Sequence, residues 1–322
     1  MGFTTTAGAP WAEIDDPVDL NFAQQNVCPK VALAATVWRL QSKVPMQDIF
    51  AGNFAPLKWL IWPPNSVRIV DWNIERGQKL TGVIDFLAST NADILMLQEV
   101  DLNARRTHRL NIAEEIARKL QMDYVFGREF QELVQGSKAS PAYHGQATLS
   151  RWPISNTGLV RFSRQSHFWQ PRWYLPQIEP FQERLGGRIA LVSEIKIAGS
   201  KILTYNLHLE SRGADELRLS QIEEVLSDAA RQDPNCPLVV AGDFNLDASK
   251  GSAAMALAMA GFQDAVTPHT PTTPPRGLFE PGRRIDWAFV RGDVRAASGR
   301  VHNQVRASDH FPISFTLTGS KG

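Results

Sequence analysis

The chain has 322 residues, 43% of them hydrophobic, and a formal net charge of +1. That length and composition support one large core or two modest ones and exclude general disorder. A near-neutral chain has no global field to draw in nucleic acid, so its partners must be argued from local sites. The two cysteines, Cys28 and Cys236, are far apart and in no Cys-x-x-Cys spacing, which argues against a disulfide framework or a zinc site and for free thiols.

Met1-Gly2-Phe3-Thr4-Thr5-Thr6 fits the short myristoylation pattern, one that often arises by chance. The first residues show no basic n-region followed by an apolar h-region, so a cytoplasmic protein is expected. Apolar stretches such as Val31 to Trp38 are too short to cross a bilayer. Asp19 to Phe54 reads as irregularly helical, and Ala55 to Trp62 is aromatic and apolar. Lys58-Trp59-Leu60-Ile61-Trp62 suits a membrane or lipid interface, with core burial the plainer reading. Residues 1–65 are therefore expected to form an accessory segment packed on a main domain of residues 66–319, and no obligate protein partner is expected.

From Ser66 onward strand and helix patterns alternate, as in α/β or α+β packing. Strand-like runs cover Val67 to Asn73, Asp93 to Glu99, Gln146 to Arg151, Arg188 to Lys196, Lys201 to His208, Pro237 to Asp243, Arg284 to Arg291 and Pro312 to Leu317. Lys79 to Ser89, Leu110 to Gln121 and Asp215 to Arg231 have helical spacing; in the last, Leu217, Ile222, Val225 and Leu226 share a face while Glu216, Arg218, Glu223 and Glu224 point outward. Val192 to Ile197, Gly199, then Ile202 to Leu207 reads as a β-hairpin, so the sheets cannot be purely parallel. No Gly-rich phosphate loop of the Walker or dinucleotide type is present.

Polar groups follow several of these strands. Asn73 ends the first, Glu99 the second, and Asp243 with Asn245 follow Val239-Val240-Ala241-Gly242. Asp and Asn two residues apart could hold a water and the oxygen it attacks, or simply close the strand as an Asx turn. Asn206 and His208 lie on one face of a strand because side chains alternate with period two, and burying both requires partners. Asp286 is an acid inside the apolar run Ile285 to Val290, although Arg283 or Arg284 could pair with it. Asp309-His310 opens the last strand, and a carboxylate beside an imidazole is equipment for protons or a metal ion. His144 is a weaker candidate, either a cleft or a loop residue.

The ordered set Asn73, Glu99, Asn206 with His208, Asp243 with Asn245, Asp286, then Asp309 with His310 resembles the endonuclease/exonuclease/phosphatase superfamily over about Val67 to Leu317. The resemblance implies a DNase I-like, four-layered α/β/β/α sandwich of two packed mixed sheets. It also implies hydrolysis of a phosphodiester by in-line attack of water, with Mg²⁺ or Mn²⁺ as cofactor. On matching positions, Glu99 resembles the main metal ligand with Asn73 and Asp309 beside it, and oxygen ligands suit Mg²⁺. Asp243 resembles the residue that orients or deprotonates water, and Asn245 a donor to phosphate. His310 resembles a phosphate-contacting imidazole held by Asp286, and His208 the leaving-group-side histidine of branches similar to DNase I.

Arg105, Arg106, His108 and Arg109 could grip a polyanion or form a solvated loop. Together with Asn206 and His144, Arg105 and Arg106 are the candidate substrate contacts. Phe162 to Phe181 holds aromatics that could stack bases, enter a lipid surface or pack as a rigid lid, and packing is the expectation. The resemblance thus points to a phosphodiesterase whose partner is a phosphoester, nucleic acid included. A phospholipid, sphingomyelin-type or sugar-phosphate phosphoesterase and a non-catalytic binding module on the same fold are the alternatives.

Overall fold

The computed structural model describes residues 48–56, 65–176, 178, 181–247, 259, 261–268, 270–275, 277 and 280–319. Cys28, Lys58 to Trp62 and the first six residues lie outside them. Among the described residues the strands are β1 (Ile49–Gly52), β2 (Ser66–Arg76), β3 (Ile94–Leu102), β4 (Asp123–Glu132), β5 (Ala142–Ser150), β6 (Ile154–Arg161), β7 (Arg184–Gly186), β8 (Ile189–Ile197), β9 (Ser200–His208), β10 (Leu238–Asp243), β11 (Gln263–Asp264), β12 (Asp286–Arg291), β13 (Val294–Val301) and β14 (Ile313–Gly319). The helices are α1 (Leu80–Thr90), α2 (Ile112–Leu120) and α3 (Asp215–Ala229).

The strands form two mixed sheets. The first runs β1-β4-β5-β3-β2-β14-β13, with β7 also on β4, and the second runs β11-β12-β10-β9-β8-β6. Parallel pairing joins β2 to β3 and β9 to β10. Strands buried on both faces read as continuous apolar runs, and Ile94-Leu95-Met96-Leu97 and Leu238-Val239-Val240-Ala241 are of this kind. Ile94, Met96, Val239 and Ala241 pack between the sheets with Ile69, Ile313 and Phe315. Leu95 and Leu97 turn outward onto α1 and α2, and Leu238 and Val240 onto α3. The result is the four-layered α/β/β/α sandwich of the DNase I type.

The β8–β9 hairpin turns through Ala198 and Gly199, both at positive φ. Unlike the sequence expectation, Arg218 is buried in α3, donating from Nε to the Glu210 carbonyl at 2.7 Å and from Nη2 to Ser211 at 3.2 Å. It ties the helix to the loop leaving β9. The strands β1, β4, β6, β7, β11 and β13 are additional to the sequence reading. Most are short or lie at edges, where polar outer faces weaken the apolar pattern, and β4 carries Arg128, Glu129 and Glu132. Within residues 1–65, Ile49–Gly52 adds an edge strand to the main sheet through β4.

The aromatic segment also departs from expectation. Trp169 packs beneath the Arg184 guanidinium at 4.9 Å, but Phe168, Trp173, Tyr174 and Phe181 are exposed. It is not a packed lid.

Candidate active site

Period two, applied to four strands, builds a polar chamber at one end of the intersheet layer. On β2 the residues facing the second sheet run Ile69, Asp71, Asn73, and on β3 they run Ile94, Met96, Gln98. On β9 and β10 the corresponding rows end in Asn206 with His208 and in Asp243. Each row is apolar where its strand enters and polar where it leaves, and cross-strand register sets Asp243 beside both His208 and Asp286. Gly242 makes that register possible: its φ is +144°, and a Cβ there would collide with the Leu207 carbonyl.

Asp243 divides its two oxygens between structure and chemistry. Oδ1 accepts from the Asn245 backbone N–H at 2.9 Å, the Asx turn considered above. Oδ2 accepts from Asn73 Nδ2 at 3.1 Å and lies 3.6 Å from His208 Nε2 and 3.8 Å from His310 Nε2. Burial, with Asp286 adding to it and His310 opposing, pushes the Asp243 carboxyl up to about 6. Asn245 sits at φ 52° and donates from Nδ2 to the Leu209 carbonyl at 3.2 Å.

His310 Nδ1 donates to Asp286 Oδ1 at 2.9 Å and lies 3.0 Å from Oδ2, an assignment that follows from a carboxylate only accepting. Burial would lower the imidazole, but Asp286 and Asp243 outweigh it and push it up to about 10. The His310 backbone is anchored to β2. Its carbonyl accepts from Trp72 Nε1 at 2.9 Å, while the Ser308 hydroxyl accepts from the His310 N–H and donates to the Asn73 carbonyl. Asp309 is half-buried next to it and adds to the imidazole's positive character.

On the other side Glu99 stands at φ 50° in a bulge where the pairing of β3 with β5 shifts register. Holding a non-glycine residue there costs on the order of 1–3 kcal/mol, a strain that clusters at functional sites. Burial alone would raise its carboxyl, but the permanent cations Arg76 and Arg188 are among the neighbours that hold it well below the usual carboxylate range. Its Arg76 partner is distant, 4.0 Å from Nη2 to Oε2, so an anionic oxygen remains open. Asn73 Oδ1 accepts from Glu75 N–H at 3.1 Å and keeps its second lone pair.

Glu99, His144 and His208 each bring a ligand atom within 4.8 Å of the others, as do Asp243, Asp286 and His310. In the second group the His310 ring already occupies the Asp286 carboxylate. In the first, His144 Nδ1 donates to Asp101 Oδ1 at 3.1 Å and His208 Nδ1 accepts from Arg188 Nη1 at 2.8 Å. The donor chemistry at Glu99 and Asn73, hard oxygens with one permanent anion, fits Mg²⁺ or Mn²⁺.

Because Arg188 can only donate, the lone pair of His208 lies on Nδ1 and its proton on Nε2, facing Asp243. Burial, then the Arg188 charge, holds this imidazole well below its ordinary value, so it is neutral. Arg188 Nη1 also donates to Glu129 Oε2 at 2.9 Å, and burial raises the Glu129 carboxyl to about 7 despite that cation. Glu129 and Arg188 were not among the sequence candidates. Glu129 lies in the unrecognised strand β4, and its partner stands 59 residues away, so no local spacing links them.

Three sequence expectations need correction. Asn206 is no substrate contact: Nδ2 donates to the carbonyls of Leu97 at 3.1 Å and Ala147 at 2.9 Å, and Oδ1 accepts from Gln98 at 2.7 Å. With all its groups taken, it staples the two sheets. Arg106 is likewise consumed, donating to both oxygens of Asp101 at 2.7 and 2.8 Å and to Glu132 at 3.0 Å. His144 is buried and held by Asp101, behind Glu99 instead of in a substrate loop. Arg105 is exposed on the short turn Arg105–Thr107.

A family model described as Endonuclease/Exonuclease/phosphatase family matches residues 72–310. No curated protein matches the chain at the level of sequence. Among solved structures, the chain is similar to an endonuclease/exonuclease/phosphatase from Bacteroides vulgatus, at 19% identity and TM-score 0.59, covering 80% of this chain and 100% of that one. The Beutenbergia cavernae endonuclease/exonuclease/phosphatase aligns at 18% identity and TM-score 0.57, covering 80% and 72%. D. rerio TDP2 complexed with single strand DNA product aligns at 18% identity and TM-score 0.57, covering 79% and 100%. These likenesses establish the shared fold.

Proposed function

Because this chain belongs to the Endonuclease/Exonuclease/phosphatase family, whose members are generally hydrolytic phosphoesterases and nucleases, we propose that it is a divalent-metal-dependent phosphodiesterase. The observation that carries this reading is the convergence of Asn73, His208 and His310 on one oxygen, Asp243 Oδ2, at 3.1, 3.6 and 3.8 Å. A buried carboxyl raised to about 6 is suited to take a proton from water near neutral pH. Asp243 is the base of the proposed reaction, and Asn73 orients it.

His310, a cation up to about pH 10, offers its Nε2–H to the phosphate oxygens where negative charge gathers. Asp286 holds that ring and its charge. His208 presents a neutral Nε2–H on the opposite side of Asp243, suited to hydrogen-bond the leaving or a non-bridging oxygen. Asn245 supplies an amide beside Asp243. Glu99 and Asn73, with Asp309 near His310, would hold Mg²⁺ or Mn²⁺, which supplies positive charge against the phosphate.

The test is a hydrolysis panel with Mg²⁺ or Mn²⁺ over single-stranded and duplex DNA, RNA, bis-p-nitrophenyl phosphate, sphingomyelin and inositol phosphates. Single-stranded DNA is included because a TDP2 neighbour is complexed with such a product. Turnover of at least one diester is expected, lost in EDTA and lowered at least ~100-fold in Asp243→Asn or His310→Ala, the scale of a positioned acid–base group. Unchanged turnover in both variants would sink the assignment.

A further inference from the structure

The large hydrophobic side chains that stand exposed among the described residues all fall in one segment: Trp173 (96% exposed), Tyr174 (59%), Leu185 (50%), Ile178 (48%), Phe168 (43%) and Phe181 (40%). Scattered singly, such residues need no explanation, but concentrated in one stretch they mark an interaction surface. Among the described residues of this stretch the exposed charges are arginines. Arg164, Arg172 and Arg212 are exposed, and the Arg172 and Arg212 guanidinium groups lie 5.8 and 4.8 Å from the Phe168 ring centre. Three described acids nearby, Glu183, Glu210 and Glu132, are buried, with Glu183 accepting from Arg172 N–H, Glu210 from Ser166 N–H and Glu132 ion-paired with Arg184.

The segment is fastened to the chamber wall. Gln165 exchanges hydrogen bonds with the Arg188 backbone, accepting from its N–H at 2.9 Å and donating to its carbonyl at 3.0 Å, and Arg188 reaches His208. A small cleft is lined by Phe130, His167, Phe168, Trp169, Gly187 and Glu210.

We propose that Phe168, Trp173, Tyr174, Ile178, Phe181 and Leu185 form an interfacial anchor that docks the chain on an anionic lipid surface, bringing the mouth of the chamber to the headgroup layer. Trp and Tyr at the boundary, aliphatic and Phe side chains entering it and arginines at the rim are the composition of such anchors. Single-stranded nucleic acid fits less well. Base stacking uses open ring faces, whereas Arg172 and Arg212 lie over the Phe168 ring, Trp173 and Tyr174 pack edge to face at 5.7 Å, and Ile178 and Leu185 offer no ring. The anchor does not depend on the chemistry proposed above, and a catalytically silent chain would still dock.

The test uses the full chain, with sedimentation and Trp emission against phosphatidylcholine vesicles with and without phosphatidylserine, and a parallel titration with a single-stranded oligonucleotide. Binding to anionic vesicles with a blue-shifted emission is expected, weakened at least ~10-fold in Trp173→Ala/Tyr174→Ala and in Arg172→Glu/Arg212→Glu. Hydrolysis of bis-p-nitrophenyl phosphate, read in the same samples, is expected to be equal in Trp173→Ala/Tyr174→Ala and the parent, which separates docking from catalysis. Vesicles that fail to bind, an oligonucleotide that binds in their place, or a Trp173 already shielded from acrylamide in lipid-free protein would each overturn the proposal.

Discussion

Asp286→Asn removes one charge from beside His310 while keeping the side chain's size. In the parent, burial works to lower the His310 imidazole, and the Asp286 charge, the Asp243 charge, the Asp286 hydrogen bond and the Asp309 charge raise it to about 10. Asp286 contributes twice to that list. Without its charge, burial faces only Asp243 and Asp309, and His310 is expected to return to about 6.5 or below, a difference of roughly 5 kcal/mol in preference for the cation. At pH 8 the cation would then be a minor form, ~3% of the population. The ring ¹⁵N resonances of His310, followed against pH in metal-free protein, read this directly, and the alkaline limb of kcat/KM should move from near 10 to about 6.5 or below. Stability must follow with a fixed sign. A histidine whose folded pKa is raised stabilises fully below its unfolded value of about 6.5, and that contribution fades as pH rises through the folded value. Parent urea stability should therefore carry a decline between about pH 6.5 and 10 that the variant lacks. A His310 that still titrates near 10 in Asp286→Asn would refute the reasoning.

Two further substitutions separate scaffold from chemistry. Asn206→Leu removes one partner from each of two buried carbonyls and one of three from Gln98 Nε2, and should lower unfolding stability by about 3 kcal/mol in urea titrations, since an unsatisfied buried group costs roughly 1–3 kcal/mol. A loss below about 1 kcal/mol would show that the sheets do not depend on this staple. Arg106→Met leaves Asp101 and Glu132 buried with one fewer cation and should cost about 3–5 kcal/mol, with KM for any diester unchanged. A raised KM with full stability would return Arg106 to the substrate contacts.

The apolar runs at residues 67–73, 93–99, 201–208 and 237–243 were legible because strands buried on both faces have no alternative composition, and the β8–β9 hairpin was legible from its spacing. The ends of those runs also exposed Asn73, Glu99, His208 and Asp243, while Asp286 stood out as an acid inside an apolar run and His310 at the opening of the last strand, because a polar residue at such a position has to be paired or used. What the sequence could not express is which pairing each one finds. Asn206 reads like His208, two residues away on the same face, yet one spends every hydrogen bond joining the sheets and the other faces the chamber. Arg106 looked like a phosphate grip until the fold brought Asp101 and Glu132 to it. Glu129, in β4 of the first sheet, and Arg188, in the link that leads into β8 of the second, set the tautomer of His208 and lie 59 residues apart in the chain. The exposure of Trp173 and its neighbours was equally invisible, since aromatic residues in an irregular segment read alike whether packed or open. The chain by itself determines which residue types must be paired; only the tertiary structure decides with what, because hydrogen bonds and charges act over a few ångströms and the sequence carries no distances.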